Sequence, residues 1–118
     1  MINAPTAEQL SLLPGLYETE HIPQEEKIVH LHFTIDRNHW WAIEWDGKDT
    51  FFGFVLLYGC SQYAEFGYFR LSELREIKVV GTYEVVNDPF WTPQAVQDIA
   101  MIMTTLRCQA RQQCRSLS

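Results

Sequence analysis

The sequence predicts an α+β domain: an antiparallel β-meander of about five strands, with a short N-terminal helix and a longer C-terminal helix packed on one face. Three observations lead there. Apolar and polar residues alternate from Ile28 to Trp45, which is the period of a strand. Twelve of the 16 aromatic residues lie between Phe33 and Phe69, so the core belongs to the middle third of the 118-residue chain. Helical apolar spacing closes the chain, with Val96, Ile99, Ala100, Met103 and Leu106 on one stripe. Residues 1–118 form one domain by length, large enough to bury roughly two thirds of the unfolded surface without a disulfide or metal staple.

Each element has a local reason. Thr6-Ala7-Glu8-Gln9 reads as a capping box opening a short helix that Pro14-Gly15 stops. Residues 18–27 are acidic and polar around Pro23, and are expected to form an extended, solvated loop. Residues 28–35 alternate, as do residues 39–45. A three-residue turn Asp36-Arg37-Asn38, with Asn38 left-handed, would pair Phe33 with Trp41, Leu31 with Ile43 and Val29 with Trp45. Other loop lengths are taken to bring Glu44 into that apolar row. The other face then carries His30, His32, Thr34, Trp40, Ala42 and Glu44. Residues 51–58 are apolar on both sides and read as a central strand. A shorter strand covers residues 66–70, Ser72 caps one helical turn, and residues 78–86 hold the last strand. Thr92 is expected to cap the closing helix, about residues 93–113, with Pro93 at its first position.

The stretch "DGKDTFFGF" from Asp46 to Phe54 sets three charges against three phenylalanines. A calcium loop needs oxygen ligands at alternate positions over twelve residues, and a phosphate cradle needs more glycine and a following helix. Asp-Gly before a two-sided apolar strand is a turn.

Charge bounds function. The net charge of −6 argues against a general nucleic-acid binder, which needs a basic footprint. Residues 1–69 hold ten acids against three bases, and residues 70–118 five against six. Three cysteines with no C-x-x-C pair read as a reduced cytoplasmic protein. Neither a basic-then-apolar leader nor a membrane-length apolar run is seen.

"LLPGLYETE", "EEKIVHLHF", "WWAIEWDGKDTFFGFV" and "EFGYFRLSEL", in that order over about residues 10–93, resemble the bacterial domain of unknown function 2958 family. "YGCSQYA" and the Arg-bearing closing helix depart from its pattern. The resemblance implies a small α+β domain often carried on plasmids and other mobile elements, sometimes beside anti-restriction or DNA-processing proteins. It supplies no catalytic residue.

Four candidate chemistries arise from the residues. His30, His32 and Glu44 on one hairpin face could hold a metal or serve a hydrolase, against the simpler reading of a polar face. Cys60 and Ser72 lack an identifiable activating partner and read as packing and capping. Trp40 on that same face could stack single-stranded bases, and Arg107, Arg111 and Arg115 could touch phosphates. The carboxylates Glu18, Glu20, Glu25, Glu26, Asp46 and Asp49 form an acidic surface suited to a basic protein partner. The expectation is a non-enzymatic cytoplasmic binding domain, monomeric or homodimeric, acting through protein–protein contacts in mobile-element or phage–host biology, with anti-restriction as one such role. It needs no cofactor, metal or catalytic residue. A metal site or hydrolase at His30, His32 and Glu44, and a single-strand binder, stand as alternatives.

Overall fold

A computed structural model describes residues 1–79 and 83–116, and the side chains of these apart from 79 and 114–116. After α1 (Ala7–Ser11) the chain turns through residues 12–27 into β1 (Ile28–Val29), β2 (Leu31–Ile35), β3 (Asn38–Trp45), β4 (Thr50–Leu56) and β5 (Ala64–Arg70). Then come α2 (Leu71–Glu76), β6 (Lys78–Val79), β7 (Tyr83–Glu84), β8 (Val86–Asn87), β9 (Gln94–Ala95) and α3 (Ala100–Ser116). The main sheet has the order β5-β4-β3-β2-β8 and is antiparallel throughout. The expected α+β meander is therefore the fold. The capping box is present: the Thr6 hydroxyl accepts from the Gln9 N–H at 3.1 Å, and the Gln9 side chain accepts from the Thr6 N–H at 3.0 Å.

The hairpin register differs from the expectation. Ile35 pairs with Asn38 across a two-residue turn, so Phe33 lies opposite Trp40, His32 opposite Trp41 and Leu31 opposite Ala42, not Glu44. Asp36 carries the positive φ, 51°, that a tight hairpin turn requires, and Asn38 is an ordinary strand residue. The alternation misled because both faces of this sheet are buried. One apolar cluster gathers Leu31, Phe33, Trp40, Ala42, Phe51 and Phe69 beneath Leu13 and the α2 residues Leu71 and Leu74. The other gathers Val29, Trp41, Ile43, Phe54 and Leu56 beneath Val96, Ile99 and Ile102. Trp40 is thus core rather than surface, and β4 is interior with both sides covered, as its sequence implied.

Backbone pairing brings further corrections. His30 interrupts the expected first strand, its N–H bonding the Ala42 carbonyl at 2.9 Å while Val29 turns to the Trp41 face. The expected strand at residues 78–86 is split into β6, β7 and β8, and its residues 80–82 lie outside the described residues. Thr92 caps nothing: residues 94–95 pair with the otherwise open edge of β1, and the helix begins only at Ala100. Ala100 is therefore exposed and Ile102 takes the buried position. Ser72 lies inside α2, one residue past its start, and bonds outward to Asp49.

A bulge in β3 decides which way the end of that strand faces. Ala42 pairs with Gly53 but Glu44 pairs with Phe52, so Ile43 is the extra residue. Past it the faces exchange, placing Trp45 with Phe51 in the first cluster and Glu44 beside Phe52. Gly53 makes this possible, since a Cβ there would sit 1.8 Å from the Trp41 carbonyl oxygen. Its pairing partner Gly67 has nothing within 4 Å of that position. Gly53→Ala should lower the urea midpoint severely while Gly67→Ala stays within about 1 kcal/mol of wild type. Equal midpoints for the two variants would refute the close approach.

Candidate functional site

Two polar centres lie on the Trp41 side of the sheet, one near each end of β3. At the C-terminal end, the bulge buries the Glu44 carboxylate to 4% exposure. Its Oε1 accepts from the Tyr17 N–H at 3.0 Å, and its Oε2 from the Thr19 N–H at 3.1 Å and from the Thr19 hydroxyl. Lys27, also buried, donates from Nζ to the Thr19 carbonyl at 2.7 Å and to the Thr19 hydroxyl at 3.0 Å. Thr19 thus couples a buried anion to a buried cation, and every partner comes from the 12–27 segment. Both charges are answered by hydrogen bonds, which a buried charge requires.

The acidic segment is therefore not extended. It runs through turns and a 3₁₀ turn at Gln24–Glu26, with Glu18, Glu20, Glu25 and Glu26 exposed on its outside. Tyr17 sits in the left-handed region with φ 70°, held there by Glu44. The segment's start touches the Asp46 turn, because the Trp45 N–H bonds the Pro14 carbonyl at 2.9 Å.

Asp46 and Asp49, expected as part of the acidic surface, have structural work. Asp46 Oδ1 collects the N–H groups of Lys48, Asp49 and Thr50 at 2.7, 2.9 and 3.0 Å, which confirms the turn. Desolvation works to raise the Asp46 pKa, and these backbone donors outweigh it, leaving the carboxyl below its ordinary value. Asp49 accepts from the Ser72 hydroxyl and N–H, which hold its pKa low and tie the turn to the start of α2.

At the other end of β3, three titratable groups form a chain. Asp88 Oδ2 lies 3.1 Å from His32 Nδ1, and His32 Nε2 lies 2.9 Å from His39 Nδ1. Both rings stack on Trp41, at centroid distances of 5.3 and 5.2 Å, and Trp91 leans over His32 at 5.2 Å. Burial lowers the His32 pKa against the raising effect of Asp88. Burial and then the neighbouring His32 push His39 down to about 4. Burial works to raise Asp88, and its bonds from His32 and the Phe90 N–H prevail and lower it. Both imidazoles are neutral at pH 7. His32 then donates from Nδ1 to Asp88 and accepts at Nε2 from His39, leaving the acceptor at His39 Nε2. Such a chain can pass a proton between His39 and Asp88. His39 meets His32 within the β2–β3 hairpin, seven residues along the chain, whereas Asp88 was not singled out in the sequence because it reaches His32 through the β2–β8 pairing, 56 residues away.

The expected His30, His32, Trp40 and Glu44 grouping is not assembled. Glu44 is committed to Tyr17 and Thr19, and Trp40 lies in the opposite cluster. His30 is half-buried, its pKa lowered by burial, beside Leu12, Asp88 and Trp91. Among the described residues no group of three or more His, Cys, Asp or Glu side chains is arranged to hold a metal ion. Base stacking on Trp40 is ruled out by its burial. Arg107 and Arg111 are exposed on α3, and the Arg115 side chain lies outside the described residues. No helix among the described residues is long and apolar enough to cross a membrane.

Fold and centres define a small α+β domain with a polar-pinned acidic segment. The family described as "Protein of unknown function (DUF2958)" matches residues 7–106, and the chain belongs to it. No curated protein and no solved structure matches.

Two measurements check the centres. Glu44→Gln puts an amide N–H against the Thr19 donors and should cost about 1–3 kcal/mol, with Tyr17 and Thr19 amides losing hydrogen-exchange protection first. Unchanged protection would mean that the carboxylate does not hold the segment. For the histidine chain the sign is set by pKa values depressed in the folded state, below the ordinary 6.5. The stability it gives is complete above pH 6.5 and drains as the pH falls toward about 4, where His39 protonates. His39→Gln should flatten the dependence of the urea midpoint on pH across that window. An unaltered slope would count against the pair.

Proposed function

We propose that this protein is a non-enzymatic binding domain that presents its acidic segment to a basic protein partner. The observation carrying this reading is the Glu44–Thr19–Lys27 network. Two buried charges are spent on fixing one surface segment, and that segment displays Glu18, Glu20, Glu25 and Glu26 to solvent. A pre-organised loop loses less entropy when it binds, and its charge steers encounter. The setting we propose is the cytoplasm of a bacterium, as an accessory of mobile-element or phage–host biology. There the cationic DNA-binding surface of a defence enzyme is the kind of partner that fits.

The test replaces Glu18, Glu20, Glu25 and Glu26 by glutamine, which removes four charges with little change of shape. Partner captured from host extract and purified should associate about tenfold more slowly with this variant at low salt, with a smaller change in dissociation. The gap should close at high salt. An on-rate equal to wild type at low salt would reduce the segment to solubility charge.

A second reading, a small enzyme, is favoured by one observation, the Asp88–His32–His39 chain, and it replaces the His30/His32/Glu44 grouping as the place to look for acid–base chemistry.

A further inference from the structure

Beside the acidic segment lies a cleft of about 220 Å³ lined by Tyr17, Glu20, Lys27, Glu44, Phe52 and Tyr68. Glu44, Phe52 and Tyr68 are cross-strand neighbours on β3, β4 and β5 and make its floor. Tyr17 and Glu20 rise from the segment over it. The tyrosine rings are surface groups, 61% and 56% exposed, and Phe52 meets Tyr68 at a centroid distance of 5.4 Å. The backbone at Tyr17 does not adopt its φ of 70° by preference, because a bulky residue rarely does. The bond from its N–H to Glu44 holds the backbone there and sets the point from which the side chain leaves the turn. Backbone outliers of this kind gather at ligand clamps.

Charge selects the ligand. Lys27 is the cleft's cation, and it points inward, two of its protons given to Thr19 and its charge answered by Glu44 through the Thr19 hydroxyl. Glu20 remains exposed at the mouth. The Tyr68 hydroxyl is raised in pKa first by its hydrogen bond with Tyr17, then by desolvation and by the negative fields of Tyr17, Glu44 and Glu20. Lys27 Nζ lies 5.8 Å from the Phe52 ring centroid at the inner side of the cleft, so the Glu20 carboxylate is the charge that stands at the rim beside Tyr17 and Tyr68. Aromatic faces with a carboxylate at the edge attract a cation. A guanidinium suits them better than an ammonium, because it is flat, weakly hydrated and forked toward a carboxylate.

We propose that this cleft receives an arginine side chain of a basic partner protein, its guanidinium lying against Tyr17 and Tyr68 and pairing with Glu20. The assignment rests on the protein-binding reading and names the group recognised.

The full chain, isotope-labelled, is titrated with N-acetyl-arginine N-methylamide and with its lysine and citrulline counterparts, while backbone amide shifts are followed. Arginine should give saturable shifts at Tyr17, Glu20, Phe52 and Tyr68, bind at least fivefold more tightly than lysine, and leave citrulline without effect. Tyr17→Gly keeps the left-handed turn and removes only the ring, so it should weaken arginine at least tenfold with the remaining spectrum superposable on wild type. Tyr68→Ala, at an exposed site, should do the same by a second route. Shifts equal for citrulline, or no saturable shift at these four residues, would overturn the cleft. A Glu18→Gln, Glu25→Gln, Glu26→Gln variant, which retains Glu20, separates the two readings. Arginine affinity within twofold of wild type in that variant supports a local site. A loss as large as that of Tyr17→Gly would show diffuse attraction to the acidic segment and overturn the cleft while leaving the wider reading standing.

Discussion

The close approach of Gly53 to the Trp41 carbonyl is the constraint on which the functional face depends. Without it β3 and β4 would pair in step, and strict alternation would carry Glu44 to the same side as Trp40 and Ala42, into an apolar layer. An uncompensated carboxylate there would cost several kcal/mol. The bulge absorbs one residue at Ile43, sends Trp45 to the Phe51 ring at 4.4 Å, and turns Glu44 toward the 12–27 segment. One backbone irregularity thus converts a liability into an anchor.

What Glu44 anchors, Lys27 extends. Its side chain closes the polar network, while its carbonyl accepts the Val96 N–H at 2.9 Å, just before α3. The acidic segment and the approach to the closing helix therefore share one residue. At the helix's far part, Gln109 donates from Nε2 to the Ser61 and Ala64 carbonyls at 2.9 and 2.7 Å, fastening α3 to the β4–β5 connection. The apolar layer under α3 is framed by polar bonds, a pattern that gives orientation where hydrophobic contact alone does not.

The parts of the fold legible in the sequence were those with local causes. Thr6 and Gln9 meet within a turn, Asp46 reaches its own backbone, and the four meander strands carry enough aromatic and β-branched residues to be recognised. Face assignment failed because it assumed one buried side. With both sides covered, alternation of Trp40 and Trp41 carries no register information, and the turn at Asp36 decides it. The late helix start was hidden for a related reason: the partner of Gln94 and Ala95 is β1, more than sixty residues away. Of the candidate site, the exposed glutamates were legible as charge density. Their fixation was not: Glu44 stood out only beside His30 and His32, and its meeting with Thr19 and Lys27 comes through the bulge.

The two ends of β3 solve the same problem in the same way. At one end Glu44 takes the N–H groups of Tyr17 and Thr19, and Tyr17 is left exposed on a fixed turn. At the other, Asp88 takes the Phe90 N–H at 2.9 Å and the His32 ring at 3.1 Å, and Phe90 stands 90% exposed on the turn so made. In each case a carboxylate beside the Trp41 layer uses backbone donors to set the course of a surface loop, and the loop displays an aromatic ring to water. Apolar packing cannot specify such loops, because they have no apolar face to bury; directional bonds to an ionised group can. The difference lies in what backs each anchor. Glu44 is joined through the Thr19 hydroxyl to the ammonium of Lys27, whereas Asp88 is backed by imidazoles whose pKa values burial lowers. The Tyr17 turn therefore hangs on a carboxylate backed by an ammonium, and the Phe90 turn on one backed by a pair of imidazoles.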